Sequence, residues 1–405
     1  MQTITTKPAT TAESILAIDL GKYKSVVCLY GAADDVRFLS ISTTRYELTR
    51  LLTKHQPAAV LIEACLLSSW VHDLCVAQGV KCLVANTASE AWKFKHTKRK
   101  TDRDDAKRLA ELYVLGQLPT VTVPAPQTRQ RRALIEHRQK LVSRRVAVQN
   151  RIRAIFVSQG LPAPRGAAAW SKTGLAGMAS QARPLAECDV LELWRGRLHL
   201  ALTELEQVID LQGQAERKLD DLAKGDANVQ RLQTIPGVGP RTGEAVVAFL
   251  PEPKRFKSGK QVSSYGGFTP RQYQSSELDR RGRISKRGPA TLRKLLVECA
   301  WCLLRYNAWA RAVYHRLTHG GKARKKQAIV AVARKLLVRC WAMLRDGQSW
   351  HDPQTGPKPK LSPRSSGARP RRSNAARRRS RRRPRSGAPG GKKPGPEWLG
   401  RTPRC

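Results

Sequence analysis

No stretch of this 405-residue chain approaches the roughly 18 consecutive apolar residues of a membrane-spanning helix, so no membrane span is expected. The opening MQTITTKPATTAES has no apolar core of the kind a secretory signal carries, which points to a cytoplasmic location. Metal-type cysteine spacing is missing as well. Of nine cysteines, only Cys299 and Cys302 form a C-x-x-C pair, with neither a second pair nor a nearby histidine. A zinc site needs four ligands, so the pair reads as helix core. Cys28, Cys65, Cys75 and Cys82 fall in apolar runs, where cysteine behaves as a small hydrophobe. Carboxylates are the scarcest charged group: 31 Asp and Glu stand against 75 Lys and Arg.

The resulting net charge is +44, of which residues 346–405, with 17 basic and 3 acidic side chains, hold +14. The folded part therefore keeps +30, a charge that attracts nucleic acid through counterion release. Binding to an anionic membrane surface is a weaker reading, because no apolar helix face accompanies the basic tail. The stretch RSSGARPRRSNAARRRSRRRPRSGAPGGKKPGPE has almost nothing to bury, and its composition predicts disorder.

Upstream, residues 14–116 alternate strand and helix patterns. SILAIDL, SVVCLYG and VRFLSIS read as three strands in hairpin order. YELTRLLTKH reads as a helix, AAVLIEAC as a buried strand, SSWVHDLCVAQG as a helix closed by Gly79, and KCLVAN as a further strand. That order predicts a mixed sheet flanked by helices. Residues 127–160 read as one helix, with Leu134, Leu141, Val148 and Ile155 seven apart. Residues 190–223 repeat the spacing with Leu191, Leu198, Leu205 and Leu219. The pair fits an antiparallel coiled-coil arm, a dimer seam, or the core of a helical bundle equally well. Residues 228–346 read as a second, mainly helical unit.

Scarce acids make their positions informative. Within TKRKTDRDDAKRLAELY, Asp102 and Asp105 are three apart at the start of a good helix, hence on one face, while Asp104 points about 100° away. Acids at a helix N-terminus also complement its dipole, and alone the pair says little. Two further carboxylates interrupt apolar strands: Asp19 in AIDLG and Glu63 in VLIEAC. An ionised carboxylate there is costly without a cation or hydrogen-bond partners. Four converging carboxylates would repel one another, and hard cations such as Mg²⁺ relieve that repulsion through oxygen ligation. Two such ions about 4 Å apart can activate a nucleophile and stabilise a leaving oxygen in phosphodiester chemistry.

In this order and on these elements, Asp19, Glu63, Asp102 and Asp105 resemble the DEDD set of RuvC-like nucleases. TDRDDAKRLAEL resembles most closely the DEDD transposases of the insertion-sequence-110/116/902 type. The resemblance implies an RNase H/RuvC-like fold over residues 14–125 and two Mg²⁺ on the four acids. IDLGKYKSVVCLYG is also similar to the first phosphate loop of actin-like ATPases. The second D-x-G-x-x-T-like loop and the Gly-rich adenosine loop that such an enzyme needs do not follow.

In the second half, LQTIPGVGPRTGEAVVAFL reads as a helix-hairpin-helix whose turn, at Gly237 and Gly239, would offer backbone N–H groups to a phosphate. A tight helix–helix connection that touches no DNA is the plainer alternative. SSYGGFTPRQYQSSELDRRGRISKRGPATLRKLL follows, with Arg280, Arg281, Arg283, Lys286 and Arg287 crowded in what reads as a loop able to grip a phosphate. Its frame Gly267, Pro270, Ser275, Gly282, Ile284, Lys286, Gly288, Leu292 and Arg293 resembles the C-terminal domain of the same transposases. Counting from Pro270 aligns that family's functional serine with Ser275. Ser276 and Glu277 stand here where the family has glycine, so Ser276 is the alternative to Ser275 for that role.

What the resemblance implies is a DNA recombinase in which Ser275 attacks DNA and forms a covalent phosphoserine link, assisted by the acidic site. The candidate nucleic-acid contacts are Gly237, Gly239, Arg281, Lys286, Arg287 and Arg293. The recombinase's partners would be element-end and target DNA, an element-encoded guide RNA, and further copies of the chain in a dimer or tetramer. The expected organisation is a nuclease domain at 14–125, a helical arm at 126–227, a mainly α transposase domain at 228–352, and a disordered basic tail at 353–405. Two rivals remain: a hydrolytic junction resolvase in which Ser275 is structural, and a non-enzymatic nucleic-acid-binding protein with structural carboxylates.

Overall fold

In ILAID, residues 15–18 are all buried, and a strand buried on both faces sits inside a sheet, not at its edge. This strand, β1 (Ile15–Asp19), pairs antiparallel with β2 (Lys24–Tyr30) on one side and parallel with β4 (Ala59–Glu63) on the other. The computed structural model describes residues 14–31, 35–87, 89, 101–275, 278–321 and 324–351. These fall within one unit, Met1–Thr355. The sheet order is β3-β2-β1-β4-β5-β6, with β3 (Val36–Ser42), β5 (Lys81–Ala85) and β6 (Thr120–Val121). The mixed sheet is the one the sequence predicts. β6 was not foreseen, since two residues carry no periodicity.

Side-chain alternation divides the sheet into two cores. Leu16, Ile18, Val60 and Ile62 pack under α1 (Arg45–His55) and α2 (Ser68–Ala77). Ile15, Ala17, Ala59 and Leu61 face the opposite side, where α3 (Asp102–Val114) lays Ala106, Leu109 and Ala110 against them. Thr44 and Thr101 each close a helix N-terminus by accepting a backbone N–H, from Glu47 and Asp104.

Two long helices follow: α4 (Pro126–Ser158) and, after α5 (Lys172–Ala179), α6 (Leu193–Lys224). Arg131–Asp226, Arg138–Glu216 and Arg151–Glu204 run in opposite sequence directions, so the helices are antiparallel. On α6, Leu198, Ala201, Leu205, Val208, Gln212, Ala215 and Leu219 are buried at alternating three- and four-residue steps, a heptad seam. Leu191 does not belong to it. That residue precedes the helix, beyond the N-cap Glu192, and is 89% exposed. The roots of both helices enter the next core, because Ile135 and Leu219 cluster with Leu232, Phe268 and Leu292.

That core is formed by α7 (Ala227–Gln233), α8 (Pro240–Phe249), α9 (Gly259–Tyr265), α10 (Ala290–Tyr306), α11 (Ala308–Thr318) and α12 (Lys325–Asp346). It carries a two-stranded hairpin, β7 (Pro270–Ser275) with β8 (Leu278–Ile284), where the sequence reading expected a loop. The N-terminal mixed sheet and the mostly helical remainder agree with the expected fold class. Among the described residues no helix is long and apolar enough to cross a membrane. The basic tail expected at 353–405 lies outside the described residues. Two cysteine expectations need correcting: Cys65 is exposed in the turn after β4, and Cys302 is exposed although Cys299 is buried.

Candidate active site

Asp19 and Glu63 end neighbouring parallel strands. Ile18 is registered with Ile62, so the two acids follow the same rung. Alternation puts each on the face of Ala17 and Leu61, the face that α3 covers. Both are partly exposed at the C-terminal edge of otherwise buried strands, the edge where open α/β sheets place their ligands.

Helix α3 crosses this face obliquely. Near its start, the Arg103 guanidinium lies 5.6 Å from the Phe38 ring on β3. At its end, Tyr113 meets the Lys81 ammonium at the start of β5, 5.8 Å away. Asp102 and Asp105 extend the sheet-facing stripe of Ala106, Leu109 and Tyr113 by one turn toward the N-terminus. Asp105 is half-buried and Asp102 exposed. Asp104 turns outward, where its carboxylate accepts the Thr101 hydroxyl at 2.7 Å. There it holds the capping Thr101 side chain.

Carboxylate oxygens are the donor type that a hard cation takes. Among the described residues, no three His, Cys, Asp or Glu side chains stand as a group ready to hold a metal ion. The topology thus brings Asp19 and Glu63 together and puts Asp102 and Asp105 on the helix above them, without closing the four into a coordination shell. Residues 90–100, which lead into α3, lie outside the described residues.

In the second half, the turn between α7 and α8 holds both predicted glycines, with different surroundings. Gly237 has φ +94°, and a Cβ there would approach the Leu303 backbone to 3.3 Å, so this glycine is pressed against α10. Its carbonyl accepts from the Cys299 thiol at 3.5 Å. Gly239, exposed at the N-cap of α8, has open space around it. Sequence reasoning missed Glu244, one helical turn into α8 and 1% exposed. Burial pushes its carboxyl up to about 7, against the pull of Arg241 and Arg131. Arg241 bridges it at 3.2 Å and also pairs with Asp220 of α6. A lone Glu inside GEAVVAF was the available signal.

Ser275 ends β7, paired with Leu278, and Ser276 and Glu277 lie outside the described residues. Arg281 stands on β8, opposite Gln272. At the base of the hairpin, the Lys286 N–H donates to the Gly267 carbonyl at 3.1 Å. Arg293 reaches back from α10 to donate to the carbonyls of Gly266 and Arg287, at 3.1 and 3.2 Å, and so braces the loop. Arg280, Arg283, Lys286 and Arg287 are exposed, and among the described residues no carboxylate pairs with them.

Two family matches fall on the same two regions. Residues 229–315 match the family described as Transposase IS116/IS110/IS902, and residues 16–159 match the DEDD family of the IS110 type, described as Transposase. A Pseudomonas aeruginosa protein named "Probable family 20 transposase" is 32% identical over 60% of this chain and 72% of its own length. The transposase for insertion sequence element IS1328 of Yersinia enterocolitica is 26% identical, over 82% of this chain and 97% of its own. The pilin gene-inverting protein of Moraxella lacunata is 34% identical over 29% of this chain and 37% of its own.

Proposed function

The chain belongs to the IS116/IS110/IS902 family of DNA transposases, and from that premise we propose that it cuts and rejoins DNA with two sets of residues, a carboxylate quartet and a serine. The observation that carries this reading is the registered placement of Asp19 and Glu63 on the sheet face under α3. The four acids Asp19, Glu63, Asp102 and Asp105 would hold Mg²⁺, two ions in the full site. Bound there, Mg²⁺ supplies Lewis-acid stabilisation of the attacking and leaving oxygens of a phosphodiester.

Ser275 is the nucleophile in this reading. Its hydroxyl oxygen forms the new bond to phosphorus as the strand's own ester oxygen departs. The serine proton passes to a base, and the departing oxygen takes up a proton. Rejoining runs these transfers in reverse. A neutral serine is a weak nucleophile, so the step needs the developing charge neutralised nearby. Arg281, Lys286 and Arg287, on and beside β8, would grip the scissile phosphate. Arg293 holds their loop in shape. Gly239 offers the start of α8 to a neighbouring phosphate, with Gly237 setting the turn.

The same family membership leads us to propose an element-encoded guide RNA, with target and element-end DNA as the substrates. A homodimer or tetramer would complete the site, in the bacterial cytoplasm at the nucleoid. Organisation into nuclease (14–125), arm (126–227) and serine-bearing (228–352) segments belongs to this reading. The experiment is a denaturing gel of the full chain with element-end DNA and Mg²⁺. A protein–DNA adduct lost in Ser275→Ala and kept in Ser276→Ala is the expected result. Cleavage with no adduct, and equal cleavage by Ser275→Ala, would overturn the serine role in favour of hydrolysis.

A further inference from the structure

The sheet edge that carries Asp19 and Glu63 also exposes large apolar side chains: Tyr23 at 73%, Tyr46 at 71% and Leu66 at 95%. They come from three separate segments that the fold ties together. Tyr23 lies in the β1–β2 turn, and its carbonyl accepts the Thr43 N–H at 2.8 Å. The Thr43 hydroxyl donates to the Gly21 carbonyl, also at 2.8 Å, and lies 2.7 Å from the Ser25 hydroxyl. Thr44 then caps α1, which sets Tyr46 in that helix's first turn. From the same turn, the Arg45 guanidinium stacks 5.3 Å from the Trp70 ring at the start of α2, just beyond Leu66.

Cations are interleaved with these rings. The Lys22 ammonium sits 5.0 Å from the Tyr23 ring centre. Among the described residues neither Lys22 nor Arg45 is ion-paired. Two-fold docking of a second copy on this rim would bring the same cations of both copies into one interface. An apolar protein partner would gain nothing from them. A polyanion with flat apolar faces uses both features.

We propose that this rim is a binding platform for unpaired nucleotides of the DNA strand that the carboxylate edge engages. Tyr23 and Tyr46 stack on splayed bases, Leu66 packs against the sugar or base beside them, and Lys22 and Arg45 take the flanking phosphates. Bases inside a duplex already have both faces covered, so only an opened strand can use the rings. The platform would hold a strand apart beside the carboxylates and keep it from re-pairing. The inference rests on the proposed DNA-cutting role of that edge, but stacking requires neither metal nor serine.

The test uses the full chain in metal-free buffer with EDTA, at about 0.3 M salt to suppress the sequence-independent pull of the basic excess. The probes are a fluorescent oligo-dT of about 20 nucleotides and a duplex of equal length, a span that covers typical single-strand site sizes. Tyr23→Ala and Tyr46→Ala should each weaken oligo-dT binding about 5- to 100-fold and leave duplex binding within about twofold. Tyr23→Phe and Tyr46→Phe should keep the parent affinity, because the ring and not the hydroxyl does the stacking. Thermal melts of all four should match the parent, since both side chains are exposed. Unchanged oligo-dT affinity in the alanine variants, or equal losses on duplex and single strand, would overturn the platform. So would a drop in oligomeric state in Tyr46→Ala, which would assign the rim to a second copy. Adduct formation is read separately, so its failure would leave a positive stacking result standing.

Discussion

Ile18 and Ile62 face each other across parallel strands β1 and β4, and that rung delivers Asp19 and Glu63 side by side to the edge of the sheet. On the proposed reading the two carboxylates share a hard cation, whose oxygen-ligand preference they match. Asp19→Asn and Glu63→Gln should each lower Mg²⁺-dependent strand cleavage by at least about 100-fold, the scale on which enzymes lose a single electrostatic stabiliser. Affinity for element-end DNA in EDTA should stay within a few-fold. Cleavage time courses and gel shifts on the same preparations check this, and a variant that still cuts at the parental rate would remove the acid from the site.

Gly267 fixes the base of the serine-bearing hairpin. Its φ is +71°, and a Cβ would fall 2.1 Å from the Arg287 carbonyl oxygen. Left-handed backbone alone costs a non-glycine residue about 1–2 kcal/mol, and the overlap with a backbone atom adds to it. Gly267→Ala should therefore lower the denaturation midpoint by several degrees and impair DNA cleavage together. Gly79→Ala is the control: it shares the left-handed backbone at φ +71° but has nothing within 4 Å of an added Cβ. It should cost less and leave cleavage intact.

Glu244 gives the stability of the helical half a pH dependence of definite sign. Its carboxyl is pushed from 4.5 up to about 7 by burial. Between those values the folded chain holds a proton that the unfolded chain releases. The favourable contribution is thus complete below about pH 4.5 and is lost as pH rises through 7. Glu244→Gln should be more stable than the parent at pH 8, by on the order of 2 kcal/mol, with the gap closing at pH 5. Urea melts at the two pH values measure it. A variant weaker than the parent at pH 8 would show that the Arg241 pair outweighs desolvation.

The sheet was legible because its strands are apolar runs with turn residues between them, and because Asp19 and Glu63 break those runs at corresponding places. The hairpin at 270–284 was not. Arg271, Tyr273 and Arg280 all face solvent, so no apolar alternation marks the strands. Leu191 was drawn into a heptad because spacing continues across a helix start that only a cap defines. The different surroundings of Gly237 and Gly239 depend on α10, some 60 residues downstream, and no local pattern encodes that packing.

Ile135 and Leu219, from the roots of α4 and α6, share one apolar cluster with Phe268 and Leu292, which flank the serine hairpin. Tilting the long helices away from that cluster would open buried apolar surface. On the reading in which Ser275 attacks DNA, a partner that levers the far tip of the pair would press on the ground beneath that serine, as a handle presses on its blade.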